Sequence, residues 1–162
     1  MPKPKRNCLP LTFSERIFVT NKFLFLRGKY HEKRYNYQSN VSALETKIEE
    51  CNSNIEKSQK AVKNAQSELL TLSAVCPQWY IQQYVNNWQL YGSSAAATQA
   101  AMNAWNQEYN NKKNQLNNTI TTNTALIQSN QSNIVLYSSA IQTLTTNYSI
   151  DVNKLQNKYG IT

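Results

Sequence analysis

Apolar residues recur at two interleaved seven-residue spacings through the last third of the chain. Ile120, Ile127, Ile134 and Ile141 form one row, which Tyr148 and Leu155 continue. Leu116, Asn123, Asn130, Tyr137, Leu144 and Asp151 form a second row between them. Alternating steps of four and three put both rows on one stripe of an α-helix, the a/d seam of a coiled coil. A similar seam begins at Val41. Its a row is Val41, Ile48, Ile55, Val62, Leu69 and Cys76, and its d row is Leu44, Cys51, Ser58, Ala65 and Leu72. Ser42, followed three residues later by Glu45, fits a capping box and marks an expected helix start. That helix is predicted to run to about Ala74 and to span on the order of 50 Å. Glu49, Glu50, Lys57, Lys60 and Lys63 lie off the seam as a solvated face. Small d residues such as Ser58 and Ala65 allow close helix approach but supply little burial.

Pro77 ends this helix and suits the first turn of the next. Tyr80, Ile81, Tyr84, Val85, Trp88 and Tyr91 then follow helical spacing up to Gly92, giving a short helix with an aromatic face and no charge. Ser93 or Ser94 caps a last helix whose opening, AAATQAAMNAW, is rich in helix formers. A change of phase near residues 116–120 reads as a stutter. Continued to Tyr159, this helix has roughly 65 residues and a length of about 100 Å. Asn123 and Asn130 occupy consecutive d positions, where a buried amide costs stability but fixes register and partner number.

The N-terminal segment reads differently. Residues 1–10, MPKPKRNCLP, carry three prolines and three basic residues, as an extended arm would. Residues 11–36 allow either a helix capped by Ser14 and interrupted near Gly28, or a hairpin turning at Asn21 and Lys22. The helix is the preferred reading, because it makes the two arms of a hairpin nearly equal in length. The expected architecture is therefore all-α: a long antiparallel helical hairpin or coiled-coil bundle, with a short aromatic helix at the turn and a basic N-terminal arm. Residues 1–36 form the arm and residues 37–162 the body. Each seam needs a covering partner, so assembly of two or more copies, or of one copy with a related subunit, is expected. The contact residues for it are Ile120, Asn123, Ile127, Asn130, Ile134, Tyr137, Ile141 and Leu144.

Composition sharpens this picture in two places. First, charge is segregated. Residues 1–36 hold nine Lys and Arg against two Glu, a balance of +7 out of the +8 for the whole chain. Such an arm suits an anionic partner, either nucleic acid or an acidic membrane surface. Second, no Asp, Glu, Lys or Arg occurs between Lys113 and Asp151. The flanks of that seam are Asn, Gln, Ser and Thr, which stay hydrated without the like-charge repulsion that resists close packing of identical copies. Only 3 Gly and 4 Pro in 162 residues fit a helical chain with few tight turns. No membrane-spanning run and no secretory signal is read. Cys8, Cys51 and Cys76 have no C-x-x-C spacing, and Cys51 and Cys76 fall on the seam as small hydrophobes.

Catalysis is not expected. His31 is the only histidine and sits among cations, and no nucleophile elbow, phosphate-cradling glycine loop, zinc helix or acidic metal loop is present. No cofactor or metal is called for. The chemistry that is present points to binding: Lys3, Lys5, Arg6, Arg27, Lys29, Lys33 and Arg34 to phosphates, with Tyr30 and Tyr35 available for stacking.

A basic, proline-containing arm (PKPKR) ahead of an all-helical Asn/Thr/Tyr-rich body resembles the virion proteins of filamentous and rod-shaped crenarchaeal viruses. The resemblance implies a structural role in coating a genome, located in the virion or in the cytoplasm of the host cell. A membrane-surface tether or a coiled-coil adaptor is the alternative. In the tether, Phe18, Val19, Phe23, Leu24, Phe25 and Leu26, set among Lys22, Arg27 and Lys29, would enter an anionic lipid interface. The simpler expectation for those apolar residues is that they pack along the overhang of the last helix.

Overall fold

The computed structural model describes residues 13–159, which are helical apart from an irregular link at 72–77 and a turn region at 86–93. Helix α1 runs over Phe13–Thr71, α2 over Gln78–Val85 and α3 over Ser94–Tyr159, with a 3-10 turn at Trp88–Leu90 between the last two. Pro77 precedes α2 in extended conformation, where its missing N–H costs nothing. Gly92 takes a φ of 85°, a left-handed conformation that side-chain-bearing residues avoid, and so turns the chain into α3. Ser93 then caps α3: its Oγ accepts the Ala96 N–H at 3.1 Å.

Residues 13–36 are helix, the preferred of the two sequence readings. Several other expectations change: α1 passes through Gly28 without interruption. The Ser42–Glu45 box starts nothing. It lies inside α1, where the Ser42 carbonyl accepts the Thr46 hydroxyl at 3.0 Å. A serine three residues before a glutamate is thus an ambiguous signal when the preceding turn is already helical. The aromatic stretch 78–91 splits into α2 and the separate 3-10 turn instead of one helix.

The chain packs as two units. The turn unit comprises residues 48–135, and the described part of the terminal unit joins residues 13–47 to 136–159. Within the turn unit, α1 and α3 run antiparallel. Lys112 pairs with Glu68 at 2.8 Å, and the Trp105 indole N–H donates to the Ser73 carbonyl at 3.2 Å. A step forward on α1 is matched by a step back on α3. The buried residues of this unit are Cys51, Ser58, Ala65, Ala97, Ala101 and Leu116. Three of the six are the small d residues of the first seam. A small side chain between two helices lets the backbones close over it, whereas the larger a residues Ile48, Ile55, Val62 and Leu69 flare sideways and stay half-buried.

The terminal unit is antiparallel by the same test. Lys33 forms an ion pair with Asp151. Tyr37 stacks on Tyr148 with ring centres 4.5 Å apart, and its hydroxyl shares a 3.1 Å hydrogen bond with that of Thr145. The Lys47 ammonium lies 5.5 Å from the Tyr137 ring centre. Its half-buried α1 positions are Leu26, Lys33, Tyr37, Val41 and Leu44. The two successive steps of four around Tyr37 are a stutter, which shifts the stripe relative to the heptads after Val41. No described side chain of this unit is buried.

Gly28 lies in mid-helix with open space around the position of a Cβ. Gly28→Ala should therefore stabilise the protein by about 0.5–1 kcal/mol through the lower helix cost of alanine. Urea unfolding followed by circular dichroism reads this as a higher midpoint at unchanged slope.

Candidate functional site

Antiparallel packing in the terminal unit sets the basic stretch of α1 beside the last turns of α3. Arg27, Lys29, Lys33 and Arg34 are joined there by Lys154 and Lys158. Among these stretches, residues 26–34 and 148–159 hold two carboxylates, Glu32 and Asp151. Both are occupied: Glu32 pairs with Lys29 at 3.1 Å, and Asp151 with Lys33. The hydrogen bond and charge of Lys33, helped by the charge of Lys154, hold the Asp151 carboxyl below its ordinary range. The result is an end to which both helices contribute cations.

A cleft of about 310 Å³ opens between the helices at this end. Phe23, Leu26, Arg27 and Tyr30 line it from α1, and Val152, Leu155 and Gln156 from α3. Tyr30 also packs edge-on against His31, with ring centres 6.1 Å apart. The hydroxyl of Tyr30 and partial burial push the Tyr148 phenol upward.

The residues expected to bind an anion are thus partly assembled. Arg27 and Tyr30 share the cleft, while Lys29 and Lys33 are engaged in ion pairs beside it. Arg34 and Tyr35 are exposed, Tyr35 at 73%. Lys3, Lys5 and Arg6 lie outside the described residues. Lys154 and Lys158 escape a reading of the sequence because they stand more than a hundred positions from the arm. Only the antiparallel register reveals them.

The expected assembly residues all lie on the partly covered stripe. Ile120, Asn123, Ile127, Asn130 and Ile134 are half-buried in the turn unit, and Tyr137, Ile141 and Leu144 are half-buried in the terminal unit. The two asparagine amides donate back along their own helix. Asn123 reaches the Thr119 carbonyl and Asn130 the Leu126 carbonyl, each at 2.8 Å.

Elsewhere, the turn unit holds a chain of ring contacts through Trp79, Tyr80, Tyr84, Tyr91 and Trp105. Tyr80 donates its hydroxyl to Glu108 at 2.7 Å, and that bond, with the neighbouring Tyr84, drives its phenol well above the usual range. Among the described residues, no three His, Cys, Asp or Glu side chains come together as a metal site, and no helix is long and apolar enough to cross a membrane. Cys51 and Cys76 are free thiols.

No family model, curated protein or solved structure matches this chain.

The Lys33–Asp151 pair gives a pH test. A carboxyl held low in the fold contributes stability above its ordinary value of 3.8 and loses it as pH falls below that value through the folded pKa. Thermal unfolding across this window should show a steeper acid loss for the wild type than for Asp151→Asn. The difference should be small, because both partners are half-exposed.

Proposed function

We propose that this chain is a structural assembly protein, a virion component, which self-associates through its helical seam and holds nucleic acid at its basic end. The observation that carries this reading is the state of the seam. Ile127, Ile134, Ile141 and Leu144 recur with heptad regularity, yet the chain on its own leaves each of them only half covered. Regular isoleucines at that exposure call for further helices against the same stripe. The uncharged flanks from residue 114 to 150 support close packing of many copies, since no ionic repulsion opposes it.

The nucleic-acid part rests on charge and chemistry together. Exposed cations from both helices, Arg27 and Arg34 of α1 with Lys154 of α3, favour a polyanion, and Tyr30 and Tyr35 offer rings to bases. Contacts of this kind go to phosphates and are indifferent to sequence. The resemblance in organisation to crenarchaeal virion proteins points in the same direction.

Salt dependence tests it. Arg27, Arg34 and Lys154 come from both helices, and none is buried. In the triple variant Arg27→Gln, Arg34→Gln and Lys154→Gln, the plot of log affinity for duplex DNA against log salt should be shallower by about 0.9 for each phosphate that is no longer neutralised. Circular dichroism should stay as in the wild type. A wild type that fails to bind at low salt, or a variant with the same slope, would remove the nucleic-acid reading.

A further inference from the structure

The stripe that α1 turns toward α3 in the terminal unit continues back from Leu26 through Phe23 to Val19, by steps of three and four. Leu26 is half-buried, but coverage stops there. Val19 is 53% exposed, Phe23 60%, Leu24 57% and Phe25 59%. These residues do not share one face. At about 100° per residue, Phe23, Leu24 and Phe25 point to three different sides of the helix. The expectation that this segment packs along α3 therefore holds for Leu26 and fails for its neighbours.

We infer that this end of the terminal unit inserts into an anionic lipid surface. Three properties of the segment select that occupant. An apolar surface wrapping most of a helix cannot be covered by one docked helix, which takes a single stripe. A fluid interface covers it from several sides at once. A second copy of the chain would bring the same cations against each other, whereas acidic headgroups complement them. Nucleic acid would match the charge, but it has no use for Val19, Leu24 and Leu26, which neither stack nor hydrogen-bond. Lys22 and Lys29 flank the segment on one face of the helix and Arg27 on another, and their aliphatic arms let the charged ends reach headgroups while the phenyl rings lie deeper. The cleft between Phe23, Leu26, Val152 and Leu155, with Arg27 at its edge, gives an acyl chain a seat beside a cation. Lipid insertion shares Arg27 with the nucleic-acid reading but adds apolar side chains that reading does not require, so substitution of those side chains separates the two.

Flotation of the full chain with vesicles separates the outcomes. The wild type should rise with phosphatidylcholine vesicles containing phosphatidylglycerol and stay behind with phosphatidylcholine alone. The variant Leu24→Ser and Phe25→Ser replaces exposed groups outside the cleft and should keep its helix content by circular dichroism. Its vesicle affinity should fall at least about a hundredfold, given what each phenyl or isobutyl group gains on leaving water. Its DNA affinity should not change. The inference is overturned if the wild type ignores anionic vesicles, if it binds neutral ones equally, or if the variant floats undiminished. Loss of DNA binding by the variant would also overturn it, by assigning the apolar tip to the nucleic-acid site.

Discussion

Two helices lying side by side cover only one flank of each other's apolar stripe, and this constraint governs the whole molecule. In the turn unit the chain meets it by making the d positions small. Cys51, Ser58 and Ala65 are buried because the α1 and α3 backbones close over them, and Ala97 and Ala101 are buried where α3 begins. The cost falls on the large residues. Isoleucines and leucines flare out of the contact, and Leu116 is the only large buried residue among those described. Hydrophobic burial scales with the area removed from water, so a seam left half wet contributes less stability than its apolar content allows.

The terminal unit carries the same logic further. With no buried side chain among those described, it relies on interactions that work at a half-wet contact: the Tyr37–Tyr148 stack, the Lys33–Asp151 pair and the Lys47–Tyr137 cation–π contact. Contacts of this kind specify register more than they add stability. They align α1 against α3 so that both helices contribute cations to one end. The basic character of that end is thus a product of tertiary packing as well as of the arm.

Much of the fold is readable from period alone. All twelve positions of the α3 stripe from Leu116 to Leu155 are buried or half-buried, as are the a and d positions from Val41 to Leu72. What periodicity hides is the first half of α1. There the stripe changes phase at Tyr37, places the charged Lys33 on the covered face, and runs through β-branched and aromatic residues that also suit strands. The same shift makes Ser42 look like a beginning. Of the site, Arg27 and Tyr30 are legible as part of a basic, tyrosine-rich run. The contribution of Val152, Leu155, Lys154 and Lys158 is not, since pairing between distant segments leaves no trace in local spacing. Nor does spacing show that Asn123 and Asn130 satisfy their amides within α3.

In the proposed assembly, the half-covered seam is completed by association between chains. Sedimentation equilibrium across a wide range of protein concentration, in the absence of nucleic acid and lipid, reads this out. The expected mass is a multiple of 18.6 kDa that rises with concentration. A well-folded species holding at 18.6 kDa throughout would contradict it.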